Sequence, residues 1–477
     1  MLTLSHVLEA LTGHQTIGDA TIITDAVIDS RLVTPGCLFI AIPGNRTDGH
    51  QYVPAAFEQG AAFALIEQDL PGLPTLDLRH PLAAPPAHDP TAPLCLRVEH
   101  TLTALQTIAA FWRQQLAHLK VIGITGSVGK TTTKELVAAI LRERYNVLKT
   151  QGNLNNEIGL PLTLLRLTSA HQVAVLEMGF YQIGEIAFLC DLARPEVGII
   201  NNVYAVHLER AGSIENIQQG KGELIAALPP SGVAILNHDE PRVLAMRDRN
   251  PHTQFLTYGL HPQADLRADH IEGLGLNGIR FRLHYHHETL HITAPLLGRH
   301  SVHTALRAIA AGLVLNLNWD TILAGLHSPH AQNQLRLVAV RGPNGSLLLD
   351  DTYNASPEST IAALNLLADI DARRRVAVLG DMLELGEYET RGHQVVGARA
   401  AQVVDLLFTV GERAQIIART ALASGLPAAQ IHHMTDTTRL LADLCTTLTA
   451  GDVILIKGSR ATRLDLLAHQ LELEAAQ

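Results

Sequence analysis

The sequence predicts an α/β protein of three domains: a small N-terminal α/β domain, a central parallel-sheet domain of the P-loop type, and a C-terminal Rossmann-like α/β domain. Three observations predict it. At 477 residues the chain is too long for one hydrophobic core. Short β-branched runs recur between stretches of helical spacing, the pattern of parallel strands joined by crossover helices. One such run leads into a glycine-bearing loop that opens a helix, "GITGSVGKTTTKE" at 123–135.

The first domain, 1–100, alternates helix-like and strand-like pieces. Seven of the 22 prolines lie between Pro71 and Pro93. A stretch that dense in proline is neither a helix interior nor a central strand, so an extended surface loop is expected. "LCLRV" resumes a strand after it and places the boundary near residue 100. The second domain, 101–328, carries strand-like runs in "VIGIT", "NVLKT", "VAVLE", "VGIINNV", "GVAILN" and "QFLTYG". Residues 265–295 alternate on period two and predict an antiparallel appendage. Within it "HYHHETLH" reads as one exposed alternating strand rather than a metal site. The third domain, 329–477, repeats the alternation with "SLLLDD", "VAVLGDM", "LLFTVG" and "DVILIKGS". Polar residues end these strands, where doubly wound sheets bind ligands.

Composition narrows the function. A net charge of −10 argues against a broad nucleic-acid or membrane-surface footprint. No apolar run approaches the ~18 residues that span a bilayer, and "MLTLSHVLEALTG" lacks a basic n-region and cleavage site. A cytoplasmic protein without membrane insertion, and a monomer, is expected. Cys37, Cys95, Cys190 and Cys445 are scattered, which predicts reduced thiols rather than a metal or disulfide framework.

In "GITGSVGKTTTKE" the backbone N–H groups and the helix N-terminus converge on an anion. Lys130 would reach terminal phosphates and the Thr131 hydroxyl would hold Mg²⁺. The match is imperfect, because Ile124 stands where the general pattern has its first glycine. Glu177 ends the buried run "VAVLE", which points its carboxylate into the crevice beside the loop and suits a divalent metal. "VGIINNV" delivers Asn201 and Asn202, then His207. "TQGNLNNEIGLP" groups Asn153, Asn155 and Asn156, amide donors suited to a carboxylate or phosphate, although such a cluster is usually a turn. From these residues alone the nucleotide-using class stays open, a regulatory P-loop ATPase included.

"GITGSVGKTTTKE", "TQGNLNNEIGLP", "LEMG", "NNVYAVHLERAGS" and "KGEL", in this order, resemble the central domain of the Mur ligases, which add amino acids to the peptidoglycan precursor. "DSRLVTPGCLFIAIPGNRTDGHQYVPAAFEQGA" resembles the UDP-binding domain of the tripeptide-accepting members. "LLLDDTYNASPES", "VLGDMLELG" and "KGSR" resemble the C-terminal domain of the members that add D-alanyl-D-alanine. The resemblance spans nearly the whole chain. It implies an ATP-dependent ligase that joins D-alanyl-D-alanine to UDP-N-acetylmuramoyl-tripeptide through an acyl phosphate. It assigns Gly126, Ser127, Val128, Gly129, Lys130, Thr131 and Thr132 to the ATP phosphates, and Thr131 and Glu177 to one Mg²⁺. His207 and Lys221, a lysine carbamylated in the family, fall to a second metal position. Arg336 and Asp351 match the pair that reaches ATP from the last domain. Ser30, Arg31, Asp48, Gly49 and His50 match the UDP end of the acceptor, while Asn153, Asn155, Asn156, Tyr353 and Asn354 fall to the substrates. Two departures stand out. Ser301 and Thr304 occupy positions where the family usually has asparagines, and Leu335 precedes Arg336 where it commonly has glycine. No function is carried onto these three.

Overall fold

The computed structural model describes residues 1–14, 21–44, 47–80, 92–206, 208–328 and 337–475. Three sheets form along the chain. The first holds β1 (Ala26–Val27), β2 (Leu38–Ile40), β3 (Phe63–Ile66), β4 (Thr75–Asp77) and β5 (Leu94–Arg97), all parallel, in the order β1-β2-β3-β5-β4. β4 lies inside the proline-dense stretch, which is therefore not loop throughout. It sits at the sheet edge, the position that tolerates flanking prolines.

The central sheet holds β6 (Lys120–Thr125), β7 (Val147–Lys149), β8 (Val173–Glu177), β9 (Val197–Ile200), β10 (Val233–Asn237), β11 (Gln254–Gly259), β12 (Leu266–Gly273), β13 (Ile279–Tyr285) and β14 (Glu288–Ala294). Its order is β14-β13-β12-β11-β10-β9-β6-β8-β7. All six strand-like runs are strands. The chain leaves β6 toward β7 and β8 on one side and then crosses to β9 on the other. The carboxyl end of β6 is thus a topological switch point, where a crevice opens in such sheets. The period-two stretch is antiparallel as expected, but β12 also pairs with β11 in parallel, so it extends the main sheet. "HYHHETLH" is not a single strand. It turns at His286–His287, joining β13 to β14 as a hairpin, with His286 in the left-handed region at φ 50°. Among the described residues no group of three acidic, histidine or cysteine side chains is arranged to hold a metal.

The third sheet holds β15 (Val338–Arg341), β16 (Leu347–Asp350), β17 (Arg374–Gly380), β18 (Leu406–Val410), β19 (Ile431–Met434) and β20 (Asp452–Lys457), in the order β15-β16-β20-β17-β18-β19. Only β15 runs antiparallel to its neighbour, and apolar cores cover both faces. The first and central sheets instead share one core. Leu105, Ile108 and Trp112 of the helix Thr101–Gln115 pack in the same cluster as Phe63 and Leu96 on one side and Leu164 and Leu176 on the other. Arg166 reinforces the junction, donating Nε to Asp25 Oδ1 at 2.9 Å and Nη2 to Oδ2 at 3.2 Å. Cys37, Cys95 and Cys190 are buried and all four thiols are free. No helix among the described residues is long and apolar enough to cross a membrane.

Candidate active site

β6 is buried from Val121 to Thr125 and delivers the chain to Gly126. A Cβ on Gly126 would stand 2.6 Å from Asn201 Cβ, and its φ of 154° excludes ordinary L side chains. Glycine is required there. Gly129, at φ 79°, caps the helix Lys130–Arg142 and turns its first N–H groups toward the crevice. The loop is clamped from β9. Asn202 Oδ1 accepts the Val128 N–H at 2.9 Å, and Asn201 Nδ2 donates to Val128 O at 3.1 Å. Ser127 Oγ donates to Tyr204 O at 3.1 Å and accepts from Tyr204 N at 2.9 Å. Lys130 folds over the loop, donating Nζ to Gly126 O at 2.8 Å.

Glu177, at the end of β8, is 1% exposed. Thr131 Oγ1 donates to its Oε2 at 2.9 Å and Asn155 Nδ2 to its Oε1 at 2.8 Å. The buried Lys134 ammonium lies 3.9 Å away. The glycine loop with its Thr131 hydroxyl and the Glu177 carboxylate, expected from two separate stretches, therefore meet. They line a cleft of about 890 Å³ whose opposite wall is the carboxyl edge of the third sheet.

Asp351, Tyr353 and Asn354 stand on that wall. Asp351 is held by Lys457, at the end of β20, which also donates to Asn354 O at 3.0 Å. Lys457 was not among the predicted site residues. The signal for it was "IKGS", a buried strand ending in a charge. Asn153 and Asn155 line the cleft, but Asn156 does not. Its Oδ1 accepts the Gly159 N–H at 2.9 Å at the start of the helix Gly159–Leu165. Ser301 and Thr304 also line the cleft with their hydroxyls committed. Ser301 donates to Leu297 O at 2.6 Å, and Thr304 accepts from Arg307 Nη2 at 2.8 Å. Glu358 adds a carboxyl that burial raises above the usual range, and its Oε2 has no partner. Nothing local in "SPEST" marks it.

Lys221 lies away from the cleft lining on the helix Ile214–Ala226, buried, its Nζ 4.9 Å from the Phe180 ring centre. Gly220 makes this possible, since a Cβ there would fall 1.9 Å from the ring. Burial, then the charge of Lys130, pushes the Lys221 pKa well below the ordinary lysine value. His207, Arg336 and Leu335 fall outside the described residues.

The five first-domain positions form a separate group, and none lines the cleft. Arg31 is an open surface arginine, its side chain 86% exposed and paired with Asp29. Ser30 begins the short turn Ser30–Leu32 beside it. Of Asp48, Gly49 and His50 only His50 is buried, and Asp48 holds it from the surface. Asp48 Oδ1 accepts the His50 backbone N–H at 3.0 Å and contacts Nδ1 at 2.6 Å, while His50 Nε2 accepts the Glu67 N–H at 2.8 Å. A Cβ on Gly49 would meet Ile42 N at 2.7 Å.

Profiles of known families match three segments. The Mur ligase middle domain matches residues 124–312, the glutamate ligase domain of the Mur ligases 335–460, and the Mur ligase family catalytic domain 23–77. A UDP-N-acetylmuramoyl-tripeptide–D-alanyl-D-alanine ligase of Synechocystis sp. is 37% identical over 450 residues, 94% of this chain and 92% of that protein. The chain belongs to the Mur ligase family. The ligase of the same name from Escherichia coli is 36% identical to this Mur ligase over 99% of the chain and 98% of its own length. Among solved structures, MurF from Acinetobacter baumannii superposes with a TM-score of 0.81 at 30% identity, covering 98% of both chains. MurF from Thermotoga maritima in complex with ADP superposes at 0.78 with 27% identity, covering 98% of this chain and 99% of that one.

Proposed function

We propose that this Mur ligase joins D-alanyl-D-alanine to UDP-N-acetylmuramoyl-tripeptide at the expense of ATP, in the cytoplasm. One observation carries the reading. A phosphate loop faces the strand ends of a third sheet across one cleft, in a chain similar over nearly its whole length to ligases of that name. The central sheet holds ATP, the first sheet the UDP end of the acceptor through Ser30 and Arg31, with Asp48, Gly49 and the buried His50 shaping that surface. The third sheet holds the dipeptide and, through Asp351, part of the nucleotide.

The tripeptide's terminal carboxylate oxygen attacks the γ-phosphorus, the bond to the β,γ-bridging oxygen breaks, and ADP leaves with that electron pair. The dipeptide amine then attacks the acyl carbon of the acyl phosphate, loses a proton, and phosphate departs. Two anions must meet in the first step, so the work is positioning and charge neutralisation. Lys130 and the loop N–H groups bind the transferring phosphate. Asn155 and Thr131 orient Glu177.

The donors fit Mg²⁺: Thr131 hydroxyl and Glu177 carboxylate oxygens lie 2.9 Å apart on the cleft wall and are hard ligands. An ion held there supplies charge neutralisation between carboxylate and phosphate. For Lys221, burial favours the neutral amine to which CO₂ would add, and the carbamate would be an oxygen donor for the second ion that the resemblance assigns to it and His207, although Lys221 itself lies away from the cleft lining.

The test is phosphate release with mass analysis of the product, using acceptors ending in lysine or diaminopimelate. Phosphate release and a mass gain of one D-alanyl-D-alanine, dependent on both substrates, are expected. Nucleotide hydrolysis without acceptor, or addition of a single amino acid instead, overturns the assignment.

A further inference from the structure

The helix Val302–Val314 carries Arg307 to the wall of the cleft. Arg307 is 4% exposed. A buried charge is costly unless an opposite charge meets it. Yet among the described residues Arg307 forms no ion pair. Nη2 donates to Thr304 Oγ1 at 2.8 Å and Nη1 to the Tyr258 hydroxyl at 3.4 Å, both neutral, and Nε has no partner. The carboxylates of Glu240 and Glu358 line the same cleft without bonding to it. The guanidinium stands beside the phosphate loop, since Nη2 lies 3.7 Å from where a Cβ on Gly129 would be. His300 on the same wall senses this charge. The surrounding protein, then His303, Lys457 and Arg307, lower its pKa below the ordinary histidine value, although the residue is exposed at the cleft surface.

We infer that Arg307 is a phosphate-binding residue of the nucleotide site, its guanidinium the counter-charge to the phosphate chain of ATP. This rests on the nucleotide reading above and extends it to a residue that no motif marks. Guanidinium offers five donors and no acceptor in a fork that matches phosphate oxygens. Thr304, one of the two departures from the family's asparagines, is the positioning residue. Its hydroxyl accepts from Nη2 and holds the fork toward Gly129. Ser301, the other, is turned away onto Leu297 O.

The test uses the full chain and three probes, ADP, tripolyphosphate and adenosine, in calorimetric titrations. Arg307→Met is expected to weaken ADP and tripolyphosphate by about 10–100-fold, the size of a lost charge-assisted bond, and adenosine by less than twofold. The melting temperature without nucleotide is expected to hold or rise, because an uncompensated buried charge has gone. A residue that merely fills space gives a lower melting temperature with ADP affinity unchanged, and that result overturns the inference. Equal losses for adenosine and ADP overturn it too. Arg307→Lys, which keeps the charge without the fork, is expected to bind ADP with intermediate affinity. It carries the test if the methionine variant does not fold, parental ADP affinity in it being the refuting result. A parent chain that binds no ADP overturns the nucleotide reading itself, a distinct result from a parent that binds and a variant that binds equally.

Discussion

Replacing Gly126 with alanine tests the geometry on which the phosphate loop depends. The new Cβ would lie 2.6 Å from Asn201 Cβ and 3.3 Å from Asn201 N, at a φ of 154°. Ordinary carbon contacts begin near 3.4 Å, so loop and strand end must separate by about 1 Å. Asn201 cannot yield freely, because it is fully buried and its Nδ2 holds both Val128 O and Thr133 Oγ1. Backbone strain of roughly 1–3 kcal/mol and overpacking of roughly 1–3 kcal/mol together give a loss of about 2–6 kcal/mol. For a domain of this size that corresponds to a fall on the order of 10 °C in melting temperature. A shift of about 1 Å in the loop also costs on the order of 10²-fold in rate. Gly129→Ala is the control. Its φ of 79° is strained, but the nearest atoms to the new Cβ lie at 3.5 and 3.7 Å, so only the backbone cost of about 1–2 kcal/mol applies. Calorimetric melting of nucleotide-free protein and ADP titration measure both. Equal melting temperatures for the two variants, or ADP affinity in Gly126→Ala within twofold of the parent, would refute the close-approach argument.

Lys221→Ala is expected to be nearly inactive and partly rescued by acetate or formate, and Lys221→Arg to stay inactive despite its charge. Ligation by the arginine variant near the parental rate removes the carbamate reading. Arg31→Ala is expected to weaken UDP-tripeptide binding about tenfold, with ADP affinity unchanged and melting unaltered, since its pair with Asp29 is exposed. The reverse pattern in calorimetry contradicts the division of substrates. His300 is expected to titrate below the ordinary histidine value by NMR, and higher once ADP offsets the neighbouring cations. Because its folded pKa lies below the unfolded value of about 6.5, stability is fully present above that value and declines as pH falls toward the folded one. A His300 titration near 6.5 in the free protein contradicts the lowering by its surroundings and the neighbouring cations.

The glycine loop opening a helix, the parallel strands and the burial of Glu177 at a strand end were legible because each is a local pattern. Strand, glycine loop and helix follow one another within 123–135, and burial shows as an unbroken apolar run. The strand runs of the third domain were legible for the same reason. The proline stretch misled, because density alone does not reveal that three residues within it pair at a sheet edge. "HYHHETLH" misled because a two-residue turn preserves the alternation on both sides of it. Other features have no local signature. Asp351 and Lys457 meet across a separation of 106 residues, and Asn155 differs from Asn156 only in which side chain faces Glu177. Arg307 sits in "ALRAIAAG", where periodicity shows a helix but not whether the arginine meets solvent or a phosphate site. The continuous core across residue 100 is equally invisible, since apolar spacing says that a helix face is buried and not what covers it. Hydrogen-bonded turns and side-chain periodicity are written along the chain. Which charges end up facing one another depends on how sheets stack and cross over, and that is settled by the packing of the whole.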